Sequence, residues 1–124
     1  MKYLPMIARV LLALPMLIFG LNKLLPSPFL EMPPPAGEVA QMYMQGMFAS
    51  YLAKLVALVE VSAAILLFVP RYERLALMML FPVTLNIVLF HLFHDPAGTL
   101  PGLVTFFLNV ILLLRAKALQ KALD

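Results

Sequence analysis

Four long apolar stretches dominate the chain, and short polar or proline-rich segments separate them. We predict helices over about residues 4–25, 51–69, 75–93 and 100–114. An α-helix rises about 1.5 Å per residue and the hydrocarbon core of a bilayer is about 30 Å thick, so helices of this length suit a membrane. The pattern predicts an all-α fold, an integral membrane four-helix bundle, and a single membrane domain over residues 1–124.

The connections between these stretches differ in character. Prolines crowd the first connection, residues 26–37, which predicts a stiff, extended loop. Residues 38–50 mix polar and apolar side chains and are too polar to span, so we expect a short helix lying at the membrane interface. The second connection is a charged turn, RYER at 71–74, and the third is a turn, HDPAG at 94–98.

The distribution of lysine and arginine predicts how the chain is oriented. Six basic residues flank one side of the predicted helices and two flank the other; the six are Lys2, Arg71, Arg74, Arg115, Lys117 and Lys121, against Lys23 and Lys54. Because cytoplasmic connections carry an excess of basic residues, we expect both termini to be cytoplasmic, in a multi-pass protein of the inner (plasma) membrane. The first apolar run continues without a small-residue cleavage pattern, so we expect a retained helix and not a signal peptide.

Composition narrows the classes of function. Hydrophobic residues make up 64% of the 124 residues and charged residues 12%, far from the values of a soluble domain. We therefore expect no folded enzyme domain outside the membrane. The net charge of +3 is spread over helix ends and the tail, which does not indicate nucleic-acid binding. The absence of cysteine excludes disulfides, thiolate metal sites and iron–sulfur clusters.

One carboxylic acid, Glu60, lies in the middle of the second apolar stretch. An acid there costs about 2.5–3.5 kcal/mol on insertion scales, so it needs a partner inside the protein. We predict a pair between Glu60 and Arg9, joined by Asn86, which we expect to be buried in mid-span, and by Asn109; all four lie within apolar segments. Two interpretations stay open: a polar staple that holds the helices in register, or an ionisable site that lines a polar pocket.

Histidines and methionines near the predicted outer face offer weaker candidates for chemistry. His91, His94 and Asp95 could share a metal ion, and His91 could exchange protons with water or with a quinone headgroup. The thioethers of Met42, Met44 and Met47 could bind copper, although methionine is more often an apolar filler. None of these makes a firm metal site. A haem is not expected, because both histidines lie on one helix.

The residues singled out resemble those of the DoxX and DoxX-like family of small four-helix membrane proteins. An arginine early in the first helix is followed by G-x-x-K, here Arg9 and then Gly20 to Lys23. A glutamate opens a run of small residues at Glu60 to Leu66, and further matches lie at Arg74 and at His91 to Gly98. A pair that usually contains glycine is Ala63-Ala64 here. The resemblance implies that Arg9, Lys23, Glu60 and His91 are candidate lining residues of a pocket.

The resemblance implies little about activity, since some members serve quinone-linked sulfur oxidation, others oxidant-defence complexes, and most have no assigned role. One hypothesis is a membrane subunit or accessory of a quinone-linked redox system, with a membrane-associated oxidoreductase as partner. The alternatives are a non-enzymatic scaffold that binds a partner, and a small transporter that handles a metal or solute. Whether the chain is an enzyme is left open. Pairing of identical chains through alanine and serine faces is a further candidate.

Overall fold

A computed structural model describes residues 2–26 and 29–123, with side chains as far as Leu119. That part of the chain forms helices α1 (Leu4–Leu24), α2 (Glu38–Ala49), α3 (Leu52–Leu66), α4 (Glu73–His94) and α5 (Thr99–Leu123). Single 3₁₀ turns, Pro70–Tyr72 and Pro96–Gly98, precede α4 and α5. Over the described residues there is no strand, which confirms the all-α class. Ser27 and Pro28 of the predicted proline-rich loop, and the side chain of Lys121, lie outside the described residues.

Three helical stretches are long and apolar enough to cross a membrane: Leu4–Leu24, Pro70–His94 and Pro96–Leu119. Helices α2 and α3 meet this test only as a pair, and their axes are bent by 80° at the break between them. The part of the chain that is described therefore has three candidate spans, or four if the bent pair is one span. A membrane protein is confirmed at this level, whereas the exact four-helix bundle and an interfacial α2 stay predictions.

Two predicted boundaries differ from the structure for local reasons. α3 ends at Leu66 and not near residue 69, because Val69 precedes Pro70 and takes an extended conformation, with φ −99° and ψ 109°. Proline disfavours the helical conformation in the residue before it. α5 continues through the basic tail to Leu123, beyond the predicted end near 114. The tail is composed of alanine, lysine, leucine and glutamine, which are strong helix formers.

Apart from α2, the described helices pack side by side as antiparallel neighbours. α1 lies along α3, α3 contacts α4, and α4 lies along α5, which also contacts α1. A core of leucines fills the centre of the bundle, with Leu12, Leu67, Leu77, Leu80 and Leu112 almost fully buried. Apolar side chains also cover the outside, as along α1, where Ile7, Leu11, Leu14 and Ile18 are exposed. Such a surface suits the acyl chains of a bilayer.

The two ends of the bundle carry different charged groups, and we name them by these groups. The lysine end is the end at which α1 and α4 finish, and it contains Lys23 and His91. The arginine end is the end at which α1 and α4 begin, and it contains Arg9, Glu73 and Arg115.

Candidate functional site

A buried ion pair joins α1 to α3 near the lysine end. The ammonium nitrogen Nζ of Lys23 lies 2.6 Å from Oε1 of Glu60 and donates a hydrogen bond to it. The Glu60 side chain is 1% exposed, whereas that of Lys23 is 17% exposed. Glu60 is thus enclosed by protein, as the sequence predicts, and the lysine is the member of the pair that can be reached from outside.

Gly20 allows this pair to form. A Cβ atom on Gly20 would lie 2.8 Å from Cγ2 of Val61 and 3.2 Å from Cβ of Glu60, so only glycine lets the two backbones approach so closely. Gly20 and Lys23 are three residues apart and share one face of α1. The glycine brings the helices together, and the lysine one turn later reaches Glu60. The opposing stripe of α3, with Ala57, Ala63 and Ala64, is buried, so alanine in place of the usual glycine still permits close packing.

The predicted pair of Arg9 with Glu60 is wrong. Arg9 comes eleven residues before Gly20, which places it about 16 Å further along α1. Glu60 is level with Gly20, about 6 Å before the end of α1, and so lies toward the lysine end and not half-way along the bundle. Glu60 stays near the middle of α3, which has 15 residues, and the prediction fails because this part of α3 packs against Gly20, near the end of α1, and not against the turn that carries Arg9.

Arg9 instead belongs to a second charged cluster, at the arginine end. Its Nη1 lies 3.6 Å from Oε2 of Glu73, and Nη1 of Arg115 lies 4.0 Å from Oε1 of the same carboxylate. Both distances are too long for hydrogen bonds. Arg9 Nε and Glu73 Oε1 are buried and have no hydrogen-bond partner within the described part of the protein. Two guanidinium groups therefore share one carboxylate without close contact.

The two predicted asparagines have different surroundings, and neither joins Glu60 in the described contacts. Asn109 is fully buried: its Oδ1 accepts a hydrogen bond of 2.7 Å from Thr84 Oγ1, and its Nδ2 donates to the carbonyl oxygen of Leu77 at 3.1 Å. This contact joins α4 to α5. Asn86 is exposed, so the prediction of a buried side chain is wrong; its Nδ2 donates to the hydroxyl of Tyr43 on α2 at 2.6 Å. Whether either asparagine lines a pocket stays a prediction.

His91 is held at the junction between α4 and α5. Its Nδ1 lies 3.3 Å from Oδ2 of Asp95 and 3.2 Å from the carbonyl oxygen of the same residue. The imidazole packs against the backbone of Gly98, where any Cβ would collide with the ring. His94 contributes a tilted ring contact with Phe90. The geometry fixes one nitrogen of His91 near a carboxylate, an arrangement that can orient an acid–base group.

Within the described part of the chain, the histidine and aspartate candidates for a metal bring together only a pair. No group of three or more histidine, cysteine, aspartate or glutamate side chains that could hold a metal ion exists among the described residues. His91 and Asp95 make a pair without a third such ligand. Met42 is exposed, and Met44 and Met47 are half-buried on α2. A thioether site for copper stays a prediction.

An apolar groove of about 430 Å³ runs along the seam between α1 and α3. It is lined from α1 by Val10, Ala13, Leu14 and Leu17, and from α3 by Ala64, Ile65 and Phe68. Ala64 follows Glu60 by one helical turn, and Leu17 precedes Gly20 by one turn. The groove and the ion pair therefore occupy successive turns of one helix–helix seam.

Sequence reasoning missed Glu73, Thr84 and Tyr43 as partners of the predicted residues, and it missed Lys23 as the partner of Glu60. Glu73 lies in the charged RYER turn, which was assigned to the connection, and the structure makes it the first residue of α4. Thr84 and Tyr43 carry ordinary hydroxyl groups in apolar or mixed segments. The signal for Lys23 was present, because the G-x-x-K spacing places a small residue and a cation on one face of α1.

Comparison with known proteins identifies the family. The family model for DoxX matches residues 4–95, from the start of α1 to the residue after α4. This range contains both members of the Lys23–Glu60 pair. No curated protein and no solved structure is significantly similar to the chain.

Proposed function

This chain belongs to the DoxX family of membrane proteins, and we propose that it is a quinone-binding membrane subunit that serves a redox partner. In this proposal the Lys23–Glu60 pair is the polar site, and the partner oxidoreductase supplies or accepts the electrons. The groove between α1 and α3 takes the apolar tail of the quinone.

The observation that carries the proposal is the buried charge pair. Glu60 is 1% exposed in a bundle whose neighbouring side chains are alanine, leucine and valine, and its hydrogen bond to Lys23 is 2.6 Å long. Ionisable groups inside a membrane protein are costly, and they usually mark a ligand site or a proton path. A staple needs only neutral side chains, such as the Thr84–Asn109 contact that already joins α4 to α5.

The residues present suit a quinone. The headgroup carries carbonyl oxygens, which accept hydrogen bonds, and an ammonium group has three N–H donors. Glu60 accepts one of those donors, and the 17% exposure of Lys23 leaves it accessible to a ligand. The groove on the next turn spans residues 10–17 of α1, about 10 Å, and its lining is apolar. That length holds the first isoprenoid units of a tail.

The division of labour follows from these groups. A bound quinone supplies the two-electron chemistry. Lys23 orients the headgroup by donating a hydrogen bond, and Glu60 holds the ammonium in place. The hydrogen bond from Lys23 Nζ to Glu60 Oε1 keeps one proton within the apolar bundle. Gly20 keeps the two helices close enough for this contact.

The test is the quinone content of the purified protein. Solvent extracts are measured by mass spectrometry, and the ratio of quinone to phospholipid is compared with that of the membrane from which the protein came. We expect enrichment in the wild type and about tenfold less in Lys23→Gln, because a charge-assisted hydrogen bond is lost. Lys54→Gln is the matched control, since Lys54 is exposed on α3 and makes the same charge change.

Two results would overturn the proposal. The first is a wild-type ratio equal to that of the bulk membrane. The second is equal quinone content in Lys23→Gln and Lys54→Gln when both variants are folded. The rate of quinone reduction in native membranes is a second measurement. It should fall in Glu60→Gln, whereas Glu73→Gln, a change at the arginine end, should leave it near the wild-type rate.

The groove also favours a second candidate, a scaffold that binds a partner helix. Ala13 and Ala64 are small residues in the groove, and small residues let helices approach closely in membranes. Replacement of Ala13 by Leu would then release a partner protein that co-purifies in stoichiometric amount. The same substitution should lower the quinone content if the groove holds a quinone tail. Loss of the partner protein therefore supports the scaffold, and loss of quinone supports the quinone-binding subunit.

A further inference from the structure

The arginine end presents more positive charge than its carboxylate neutralises. Arg9 and Arg115 both face Glu73, which leaves a net charge of +1 among three side chains. The two ion-pair distances, 3.6 Å and 4.0 Å, are beyond hydrogen-bond range. The guanidinium groups are therefore held near one another by the carboxylate and keep donors for another acceptor.

The position of an unpartnered donor points to a ligand. Arg9 Nε is buried and has no hydrogen-bond partner in the described protein, and the same holds for Glu73 Oε1. A buried N–H without an acceptor costs about 1–3 kcal/mol. The Arg115 side chain is 40% exposed, so the cluster is open on the side of α5. An acceptor that enters from there would meet Arg115 first, and Arg9 lies across Glu73 from it.

The height of the cluster in the bundle identifies the class of acceptor. Glu73 is the first residue of α4 and lies three residues into the candidate span Pro70–His94. The end of a membrane span lies at the lipid headgroups, where phosphate groups are concentrated. Guanidinium groups bind phosphate oxygens with paired hydrogen bonds more effectively than ammonium groups do.

We propose that Arg9, Glu73 and Arg115 form a phosphate-binding site at the arginine end, which holds the phosphate of a membrane phospholipid or a free phosphate. Arg9 Nε and the two guanidinium groups donate to the phosphate oxygens. Glu73 keeps both arginines in place, and its unpartnered Oε1 can accept a hydrogen bond from a hydroxyl of the same ligand. This site is separate from the Lys23–Glu60 pair and does not depend on the proposed function.

The first arm of the test measures retained lipid. The full-length protein is taken from vesicles of phosphatidylglycerol and phosphatidylcholine, and the fraction that keeps phosphatidylglycerol is measured by native mass spectrometry. We expect Arg9→Gln to lower this fraction about fivefold, the effect of removing one basic contact to an anionic headgroup. Arg71→Gln is the matched control: Arg71 lies at the same end, but its guanidinium contacts the ring of Tyr72.

The second arm distinguishes a lipid from a free anion. Inorganic phosphate is added to protein in a neutral detergent, and the thermal unfolding temperature is recorded against added chloride of equal ionic strength. A phosphate-specific rise in the wild type that Arg9→Gln loses supports the site and identifies free phosphate as its ligand. Phosphatidylglycerol retention that depends on Arg9, without that rise, supports the site and identifies a lipid.

The proposal is overturned if Arg9→Gln and Arg71→Gln lose phosphatidylglycerol equally, because general surface charge would then explain the binding. It is also overturned if neither ligand depends on Arg9. Should Arg9→Gln fail to fold, Arg115→Gln takes its place with the same expected loss, since its side chain is more exposed. Arg9→Lys keeps the positive charge and removes Nε. It should retain less phosphatidylglycerol than the wild type, whichever of the two glutamine variants is used.

Discussion

The two ends of this bundle handle buried charge in opposite ways. At the lysine end one cation and one carboxylate meet at 2.6 Å, and the carboxylate is 1% exposed. At the arginine end two cations share a carboxylate that is 14% exposed, at 3.6 Å and 4.0 Å. The first arrangement is balanced and enclosed by close helix packing, whereas the second is unbalanced and partly open. We infer that the ion pair at the lysine end contributes strongly to the stability of the fold. The ion pairs at the arginine end contribute much less.

The largest effect is expected from removing the cation of the enclosed pair. Lys23→Met leaves Glu60 buried without a partner, and breaking a buried pair in this way costs about 3–5 kcal/mol. The thermal unfolding temperature in detergent should fall by many degrees. Lys54→Met, at an exposed position of α3, should leave it nearly unchanged.

The double variant Lys23→Met with Glu60→Met sharpens this prediction. It removes both charges, so most of the lost stability should return, because apolar side chains of similar size often replace a buried pair without loss. Equal stability of Lys23→Met and Lys54→Met would contradict the idea that the lysine end depends on its ion pair.

The next effect concerns the close approach of the two helices that carry the pair. Gly20→Ala places a methyl group 2.8 Å from Val61 Cγ2 and 3.3 Å from the carbonyl oxygen of Ala57, so α1 and α3 must separate. Overpacking of this kind costs about 1–3 kcal/mol. The measurement is again thermal unfolding in detergent, and quinone content should fall with it if Lys23 moves away from Glu60.

Gly46 provides the control for that substitution. It lies inside α2, and a Cβ atom there would meet nothing within 4 Å. Gly46→Ala should therefore raise stability by about 0.5–1 kcal/mol, the gain from replacing an exposed helical glycine. If the two alanine variants changed stability in the same direction, the close contact at Gly20 would not be the cause.

These comparisons also indicate how far sequence reasoning extends. The apolar stretches predict the helices, and the isolated acid predicts its own burial, because both follow from the cost of polar groups in lipid. The partner of Glu60 does not follow in the same way. It depends on how far α1 slides along α3, and side-chain periodicity does not determine that height. Gly20 determines it through contact with Val61, so the choice between Arg9 and Lys23 lies in packing geometry.

The charged cluster at the arginine end could not be predicted for a similar reason, because it depends on where α4 begins after the short 3₁₀ turn. Glu73 belongs to a charged tetrapeptide that looks like a solvated connection, and only the helix start places it between Arg9 and Arg115. For Asn86 the error has the opposite direction: the side chain was predicted to be buried and is exposed. Asn86 lies in an apolar segment, but its side chain turns toward Tyr43 of α2, and α2 was too polar to be predicted as a neighbour of α4.

At the arginine end a smaller effect is expected from the same kind of change. Arg9→Gln removes one of two cations from a partly open cluster, and Arg115 remains beside Glu73, so stability should fall by about 1 kcal/mol or less. Salt distinguishes the two ends, because about 1 M salt shortens the Debye length to about 3 Å. The difference between wild type and Arg9→Gln should shrink at high salt, whereas that for Lys23→Met should persist. Equal salt dependence at both ends would contradict the contrast between them.

The smallest effect is expected at the most exposed member of the cluster. Arg115→Gln removes a contact of 4.0 Å made by a side chain that is 40% exposed, and such ion pairs contribute about 0.2–1 kcal/mol. The unfolding temperature should stay within a few degrees of the wild-type value, while retained phosphatidylglycerol falls about fivefold, as for Arg9→Gln. Loss of lipid without loss of stability would separate a binding role from a structural one. A large loss of stability without loss of lipid would instead make Arg115 part of the framework that holds α5 against α4, and the arginine end would then resemble the lysine end.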